Sequence, residues 1–334
     1  MTAHSRILNA FTVDVEDYYH VSAFARKIHP TQWDHFPSRV VANTHRILDI
    51  LERHSVQGTF FVLGWVARKF PDLVRDIRRG GHEIGCHSFW HRLIYDLDPD
   101  EFRGDLRESR DQLEQITGEA VLSHRAPSFS ITEQSLWALQ ILAEEGFTID
   151  SSIFPVRHDR YGLKGAERFA HRIDTDRGGI WEFPPAVYRL WKWHLPVSGG
   201  GYFRLYPARF SAFCLQQSNQ GHHRPFVFYI HPWEVDPDQP RIAVRAATRF
   251  RHYVNLSKTE QKLDVLFDRF AFGKLSDSLE EYERGLQSLG QHVKRIDYRN
   301  VLRGPVGAQI PHRSRSLPAE RREAAAVERN EVPS

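Results

Sequence analysis

The sequence contains few of the features that mark disulfide-bonded, exported or membrane-spanning proteins. Only two cysteines occur, Cys86 and Cys214, and their number and separation provide no disulfide framework. The first residues lack the basic and apolar regions of a signal peptide. No apolar run reaches the roughly 18–20 residues that a membrane span requires. We therefore expect a cytoplasmic protein with no membrane span.

The charge balance excludes another class of partner. The chain has 45 basic residues against 42 acidic ones, a formal net charge of +3, and no basic stripe interleaved with aromatic residues. Nucleic-acid binding is therefore not predicted. The apolar and charged fractions, 41% and 26%, are typical of an ordinary globular protein. The aromatic fraction of 12% is somewhat high; aromatic rings stack on sugars in some proteins but more often fill cores.

The first two-thirds of the chain alternates strand-like and helix-like segments. Apolar runs predict strands at Ile7–Val15, Gly58–Leu63, His82–Cys86, Phe147–Asp150, Ile180–Phe183 and Phe226–Ile230. Apolar periodicity and end signals predict helices at Ser38–His54, Pro71–Arg79, Asp98–Thr117 and Thr132–Glu145. Repeated strand–helix units predict a parallel sheet with outer helices, and several units in series favour a barrel.

The composition changes after about Pro237. The segments Leu256–Phe270 and Glu280–Leu289 have the pattern of charged amphipathic helices. From Gly304 onward the chain is rich in Arg, Glu, Pro, Ser and Ala and has few large apolar residues, which predicts disorder. We therefore predict three regions: a barrel over residues 1–236, a helical extension packed on the barrel over 237–303, and a disordered tail over 304–334.

Two histidines four residues apart, His87 and His91, provide the strongest local signal of chemistry. Side chains at this spacing share one face if the segment is helical. Neutral imidazoles on one face can bind one divalent ion together. The alternative is a pair of surface histidines in a chain that contains 19 of them.

Three carboxylates, Asp14, Glu16 and Asp17, follow the apolar run of the first strand. Strand alternation places Asp14 and Glu16 on one face and Asp17 on the other, although a turn after Val15 would bring Asp17 inward. Carboxylates at a buried strand end are costly without a cation or hydrogen bonds. A solvated strand-to-loop junction is the alternative. Together with the histidines, however, the carboxylates favour a site of two imidazoles and one carboxylate.

Two further polar residues, Arg125 and His231, follow strand-like runs. Arg125 could clamp a carboxylate in a fixed orientation, although an isolated arginine before a turn is more often a surface residue. His231 directly follows an apolar run and is placed for acid–base work, although a lone histidine of this kind is more often structural. Their shared location favours a functional role, because barrel enzymes collect reactive residues at the carboxyl ends of their strands.

Taken in order, these motifs resemble those of the polysaccharide deacetylases of the NodB-homology type, carbohydrate esterase family 4. The resemblance extends from about Leu8 to Trp233 and rests on Thr12-Val-Asp14, His87-Ser-Phe-Trp-His91, Arg125-Ala-Pro127, Asp150-Ser151 and Tyr229-Ile-His231. A subgroup linked to exosortase and exopolysaccharide gene clusters is the most similar, through Asp14-Val-Glu-Asp-Tyr18, Glu182-Phe-Pro-Pro185, Gly199-Gly-Gly-Tyr202 and Arg251-His-Tyr-Val-Asn255.

The resemblance implies a fold and a metal. The fold is a distorted, incomplete (β/α) barrel of about seven strands, followed here by the C-terminal helical extension. The metal is a divalent ion, zinc before cobalt or nickel, with His87 and His91 as ligands. Most members have a metal-binding Asp directly after the base, whereas this chain has Val15. The third ligand is therefore Glu16 or Asp17, and the sequence does not separate them.

The resemblance also implies acid–base roles. Asp14 is the general base, Arg125 orients it and holds it ionised, and His231 is the general acid that protonates the leaving amine. The family often has a second acidic residue after its fourth strand that tunes this histidine, and this chain lacks it. Three residues are candidates for the replacement: Asp150, Glu182 and Glu234.

From these motifs we predict a metal-dependent hydrolase that removes N-acetyl groups from N-acetylhexosamine units of a polysaccharide or oligosaccharide. No oligomeric state is predicted. Pro127, Asp150, Trp193 and Tyr202 are predicted to contact the substrate, although the aromatic residues could instead pack under a loop. One alternative is an allantoinase-like hydrolase of small cyclic amides, but such relatives tend to lose metal ligands that this chain retains. The other is a non-catalytic glycan-binding scaffold, which needs no general acid and base.

Overall fold

The computed structural model describes residues 7–156, 158, 161–191 and 193–297. The predicted tail over residues 304–334 lies outside these ranges. The described residues belong to one compact unit. Its β-strands are β1 (Leu8–Val15), β2 (Thr59–Val62), β3 (Glu83–Cys86), β4 (Ser123–His124), β5 (Ile149–Asp150), β6 (His171–Thr175), β7 (Gly178–Glu182), β8 (Val187–Leu190), β9 (Trp193–Pro196), β10 (Val227–Ile230), β11 (Ala271–Gly273) and β12 (Arg295–Asp297).

The helices lie between these strands. The α-helices are α1 (Val40–Arg53), α2 (Gly64–Lys69), α3 (Pro71–Arg79), α4 (Pro99–Thr117), α5 (Ala138–Glu144), α6 (Gly200–Leu205), α7 (Ala208–Gln216), α8 (Ala246–Tyr253), α9 (Thr259–Arg269) and α10 (Leu275–Ser288). Short 3-10 turns occupy Ser22–Phe24, Pro30–His35, Ile94–Asp96, Pro127–Phe129, Pro232–Val235 and Leu256–Lys258, and a π turn at Gln217–Gly221 follows α7.

Seven strands form a continuous parallel series in the order β10, β1, β2, β3, β4, β5, β7. Beyond β7, the series continues with β6, which is antiparallel, and then β12. Among the described strands no ladder joins β7 back to β10. Only isolated bridges, Pro185 with Val227 and Gly199 with Tyr229, lie along that gap. The predicted α/β fold, an incomplete barrel of about seven strands, is confirmed.

The strands β1 and β10 are apolar runs that the fold buries, although β10 is the last strand at one end of the sheet. Both strands are buried along nearly their whole length, as expected when helices or the barrel interior cover both faces. On the outer face, the ring of Phe11 stacks on Phe228 with centroids 5.9 Å apart. On the inner face, Thr12 and Asp14 both accept hydrogen bonds from Arg125. The two-residue period of β1 therefore separates core packing from chemistry.

Most predicted elements are confirmed, with bounds that shift by a few residues. The helix at Pro71–Arg79 is found with the predicted bounds, and α4 begins after its N-cap Asp98 and ends at Gly118, whose φ is 72°. The helix predicted over Thr132–Glu145 begins only at Ala138, because the amide of Thr132 donates to Ser135 Oγ and makes a turn. The hairpin β8–β9 and the helices α6 and α7 were not predicted.

Residues 237–297 contain α8, α9 and α10, together with β11 and β12, which extend the main sheet. Leu275 and Leu279 of α10 pack in one apolar cluster with Ala10 and Phe61. The division of the chain at residue 236 remains a prediction. Cys86 and Cys214 are buried free thiols. None of the described helices has the length and apolar content needed to cross a membrane.

Candidate metal and acid–base site

Three buried side chains, Glu16, His87 and His91, bring possible ligand atoms within 4.8 Å of one another. Glu16 lies just beyond β1, and the two histidines lie in the loop that follows β3. Oε2 of Glu16 is 2.7 Å from Nε2 of His91, and the two histidine rings are 5.3 Å apart. Burial raises the pKa of Glu16, but the neighbouring His91, His231 and His87 outweigh it and hold that pKa well below its usual range.

His87 has its ring orientation fixed by the backbone. Its Nδ1 lies 2.8 Å from the carbonyl oxygen of Arg125. A carbonyl can only accept, so Nδ1 carries the proton and Nε2 keeps its lone pair. Burial lowers the pKa of His87 to about 4, so the ring is neutral at pH 7. Both conditions are those of a metal-binding imidazole.

The loop that carries the two histidines is not helical. Ser88 and His91 have left-handed backbones, with φ of 62° and 52°. Asp105 of α4 holds the loop, because its carboxylate accepts hydrogen bonds from the amides of Phe89 (2.6 Å) and Trp90 (3.3 Å). The two imidazoles therefore meet through a strained turn held by a buried acid, and not through the helical spacing.

The donor set fits a divalent cation. Among the described residues, no donor is in hydrogen-bonding geometry with Glu16 Oε2, although His91 Nε2 is close to it. A buried carboxylate oxygen without a donor is costly unless a cation compensates it. Two imidazole nitrogens and one carboxylate oxygen form the ligand set of several catalytic zinc sites, which keep a position open.

The structure places Asp17 away from the histidines. Its carboxylate lies at the start of α1, where it accepts hydrogen bonds from Ser38 Oγ (2.6 Å) and from the amides of Arg39 (2.9 Å) and Val40 (3.2 Å). Of the two predicted alternatives, the structure brings only Glu16 to the cluster. The carboxylate of Asp17 has a structural environment instead, that of a helix cap.

Asp14 and Arg125 form a buried ion pair beside the cluster. Nη1 of Arg125 donates to Asp14 Oδ1 (2.7 Å) and to Thr12 Oγ1 (2.8 Å). Nη2 donates to Ser151 Oγ (2.9 Å), and the guanidinium lies 4.3 Å from the ring centre of Phe61. A planar guanidinium held on several sides fixes the direction of the Asp14 carboxylate. Ser151, in the predicted Asp-Ser segment, thus contributes by holding the arginine.

His231 is held by a second buried pair. Its Nδ1 is 2.7 Å from Glu234 Oε1, and Arg204 Nε donates to Glu234 Oε2 at 2.6 Å. The ring also stacks on Trp233, with centroids 4.9 Å apart. Burial lowers the pKa of His231, but the Glu234 carboxylate, with help from Glu16 and Asp14, raises it to about 9. Of the three candidate partners of His231, the structure places Glu234 beside it.

These groups converge on one point. Nε2 of His231 lies 3.8 Å from Asp14 Oδ2 and 3.7 Å from Glu16 Oε1. A proton acceptor, a protonated imidazole and the cluster of potential metal ligands therefore share one small space. The convergence follows from topology, because β1, β3, β4 and β10 are parallel and end at the same edge of the sheet.

The four predicted substrate residues are placed differently. Pro127 is buried and begins the short turn after β4. Asp150 has no exposed surface, and its Oδ1 is 2.8 Å from His124 Nδ1, so the structure does not bring it to the surface of the site. Trp193 is exposed on β9, and Tyr202 lies partly buried in α6. Substrate contact by these residues remains a prediction.

Two positioning residues, Arg204 and Asp105, were not predicted. Arg204 is 30 residues from Glu234 in sequence, and no local pattern links them. A signal for Asp105 was present, because an acidic residue lies on the buried stripe of α4 among Phe102, Leu106 and Leu113. A charge on a buried stripe requires a partner, and here the partners are backbone amides.

Two family profiles match consecutive segments of the chain. Residues 27–148 match the profile described as polysaccharide deacetylase. Residues 151–280 match a profile described as a domain of unknown function, DUF3473. The first segment contains His87, His91 and Arg125, and the second contains Arg204 and His231. Asp14 and Glu16 precede both segments, so the residues of the candidate site come from both segments and from the chain before them.

Similar curated proteins have deacetylase names. The chain is 38% identical over 98 residues to a peptidoglycan-N-acetylglucosamine deacetylase of Bacillus cereus, which covers 29% of this chain and 36% of that protein. It is 33% identical over 100 residues to a chitooligosaccharide deacetylase of Azorhizobium caulinodans, covering 30% and 45%. The matches thus span less than half the length of these relatives.

Solved structures share the fold. A Mycobacterium smegmatis protein assigned as a polysaccharide deacetylase is 18% identical with a TM-score of 0.58, over 89% of this chain and 96% of that one. Puue allantoinase is 13% identical with a TM-score of 0.55, over 85% and 92%. At these identities the likeness shows the fold alone.

The open parallel barrel, with histidines and carboxylates at the carboxyl ends of its strands, defines an α/β protein of the deacetylase fold. Residues 27–148 match the polysaccharide deacetylase family, which is the family that the order of the motifs predicted.

Proposed function

We propose that this chain is a metal-dependent hydrolase that removes N-acetyl groups from N-acetylhexosamine units of a polysaccharide. The observation that carries the proposal is the convergence of Asp14, His231 and the Glu16–His87–His91 cluster. The names of the relatives support the substrate class, because they refer to acetylated amino sugars. The motif resemblance adds a role in exopolysaccharide formation to the proposal, and the location that we propose is the cytoplasm.

Glu16, His87 and His91 would hold the metal, for which we propose zinc before cobalt or nickel. When bound, such an ion polarises the acetamide carbonyl and lowers the pKa of a water molecule. The neutral ring of His87 and its hydrogen bond to the Arg125 carbonyl support this role, since a ligand imidazole must be unprotonated.

The remaining groups of the chain handle protons. Asp14 Oδ2 takes a proton from the attacking water, because Arg125 holds the other oxygen, Oδ1. His231 then donates the proton on Nε2 to the leaving amine, and its pKa of about 9 keeps it protonated at neutral pH. Glu234 and Arg204 keep the His231 ring pointed at Asp14. His231 thus starts protonated, as a general acid must.

Acetate release combined with metal analysis tests the proposal. The purified protein is expected to contain about one metal ion per chain and to release acetate from chitooligosaccharides. His87→Ala should lose both, and His45→Ala, a change in an exposed histidine that pairs with Asp76, should lose neither. Metal content and acetate release that persist in His87→Ala would contradict the proposal. Turnover of allantoin with none of chitooligosaccharide would replace it with the cyclic-amide alternative.

A further inference from the structure

A group of exposed apolar side chains lies on the hairpin β8–β9 and on the neighbouring helix α7. The exposed fractions are 47% for Leu190, 89% for Trp191, 75% for Trp193, 38% for Phe210 and 51% for Phe213. We call these five residues the aromatic patch. Single exposed apolar residues are common on proteins, but a group of large ones indicates a surface that meets another apolar phase.

Ring contacts connect the two halves of the aromatic patch. Tyr188 of β8 lies against Phe213 of α7, with ring centroids 6.2 Å apart. Tyr206, just before α7, lies 5.4 Å from Phe210. The hairpin and the helix therefore present their exposed rings from one continuous surface and not from two separate ones.

The backbone conformation and the exposure of Trp191, at the tip of the hairpin, are not explained by packing within the folded chain. Trp191 has a left-handed backbone with φ of 54°, although such positions in tight hairpins favour Asn or Gly. Its side chain is almost fully exposed, so burial does not offset this strain. A bulky, exposed residue in an unfavourable conformation indicates a role outside the folded chain.

The charge of the surrounding segment is of one sign. No Asp or Glu occurs between Glu182 and Glu234, in a chain that has 42 acidic residues. Arg189 and Arg209 are exposed next to the rings of the aromatic patch. A segment that excludes acidic residues around exposed tryptophans is suited to a negatively charged partner.

We propose that the aromatic patch docks on an anionic lipid surface. Tryptophan rings are favoured at the boundary between headgroups and acyl chains, and nearby arginines are attracted to anionic headgroups. The patch also connects to the candidate site, because Val187 at the base of the hairpin packs in one cluster with Tyr229, two residues before His231. Docking would hold that site close to the membrane.

A glycan is the competing occupant, since tryptophans also stack on sugars. Two observations favour the lipid. A neutral sugar chain does not require a segment free of acidic residues. Moreover, the side chains of Trp191 and Phe213 are 89% and 51% exposed, whereas ligand pockets are concave and bury most of their ligand.

Sedimentation of the full-length protein with lipid vesicles tests the proposal. The probes are vesicles of phosphatidylcholine alone and of phosphatidylcholine with roughly 30% phosphatidylglycerol, an anionic lipid that gives the surface a negative potential. We expect binding to the anionic vesicles only, weakened by high salt. Trp191→Ser combined with Phe213→Ser should lower the partition coefficient at least about tenfold, and Arg189→Glu combined with Arg209→Glu should abolish binding.

The matched control is Leu289→Ser, which removes an apolar side chain of 71% exposure from the end of α10. It should bind vesicles like the parent chain, and circular dichroism should show all variants folded. Absence of binding to anionic vesicles, or equal binding by Trp191→Ser/Phe213→Ser, overturns the proposal. So does unchanged vesicle binding with a raised KM for soluble chitooligosaccharides, which would assign the patch to the glycan. Vesicle binding needs no catalysis, so it is independent of the proposed activity.

Discussion

Glu234 binds the ring of His231 with one carboxylate oxygen while Arg204 holds the other. The distance from Glu234 Oε1 to His231 Nδ1 is 2.7 Å, and all three side chains are largely buried. Arg204 orients the Glu234 carboxylate, and the negative charge of that carboxylate stabilises the imidazolium of His231. The proton of His231 therefore depends on the neighbouring carboxylate of Glu234.

Glu234→Gln should lower kcat and change its pH dependence. The substitution keeps the shape of the side chain but removes the charge that raises the pKa of His231 to about 9. The pKa of His231 should then fall, because burial alone lowers it. A general acid must be protonated, so the loss of activity on the alkaline side should move to lower pH. At pH 8 we expect a decrease in kcat of about 100-fold, measured by acetate release across pH 6–10.

Glu260→Gln is the matched control, because Glu260 is a surface carboxylate that pairs with Arg46 and Arg53. Its pH profile should overlay that of the parent chain. A Glu234→Gln profile with the same alkaline limb as the parent, whatever its height, would mean that Glu234 does not control the proton on His231.

Glu16→Gln and Asp17→Ala should separate the two candidate ligands. Glu16→Gln removes the carboxylate beside His91 and should lose the bound metal while leaving the free energy of unfolding of the metal-free chain nearly unchanged. Asp17→Ala removes the cap of α1 and should cost about 1–3 kcal/mol of folding free energy with metal content retained. Metal stoichiometry and urea denaturation provide both readouts. The reverse pattern, with metal lost only in Asp17→Ala, would assign the site to Asp17.

Which of Glu16 and Asp17 reaches the histidines could not be predicted from the sequence. The location of Asp14, His87 and His231 was predictable, because each lies in or directly after a predicted strand that ends at the same edge of the sheet, whereas β4 before Arg125 was not among the predicted strands. The choice between two adjacent acids depends on how the chain turns after Val15, and that turn is set by tertiary contacts with α1. A period of two residues cannot determine it.

Contacts between residues that are distant in sequence could not be predicted either. Arg204 reaches Glu234 only because the fold brings α6 to the end of β10. Neither residue has a local sequence pattern that predicts its partner. The hairpin β8–β9 and α6 lie in a segment rich in Gly, Pro and aromatic residues without a clear helical or strand period. By contrast, α3 and α4 were predictable because Pro, Gly and a capping Asp mark their ends.

Gly199→Ala should disrupt the edge of the barrel beside His231. Gly199 has a φ of 151°, and an added Cβ would lie 2.0 Å from the carbonyl oxygen of Tyr229. That contact must open, and with it the bridge between Gly199 and Tyr229. We expect Gly199→Ala to be at least about 2 kcal/mol less stable than Gly165→Ala.

Gly165→Ala is the informative control, because Gly165 has a φ of 82° but an added Cβ would have no atom within 4 Å. It therefore reports the cost of the left-handed backbone alone. Urea denaturation of both variants measures the difference. Equal stabilities would show that the close approach to Tyr229 relaxes without cost.

Glu182→Gln should stabilise the protein at alkaline pH. Glu182 is fully buried opposite Asp150 on the neighbouring strand, and burial together with the Asp150 carboxylate raises its pKa well above the usual range. In the unfolded chain the carboxyl group loses its proton near its ordinary pKa, whereas in the folded chain it keeps the proton. Above that ordinary pKa the unfolded state thus binds fewer protons, and the stability of the parent chain falls as pH rises until Glu182 ionises in the folded state.

A glutamine amide supplies the same hydrogen-bond donor as the protonated acid and does not titrate. The stability gain of Glu182→Gln over the parent should therefore be near zero at pH 4 and grow by about 1.4 kcal/mol per pH unit within that window. Urea denaturation from pH 4 to pH 8 measures it, with Glu133→Gln as an exposed control whose difference should not vary with pH. If Glu182→Gln is less stable than the parent at pH 8, the buried acid is ionised and Asp150 does not share its proton.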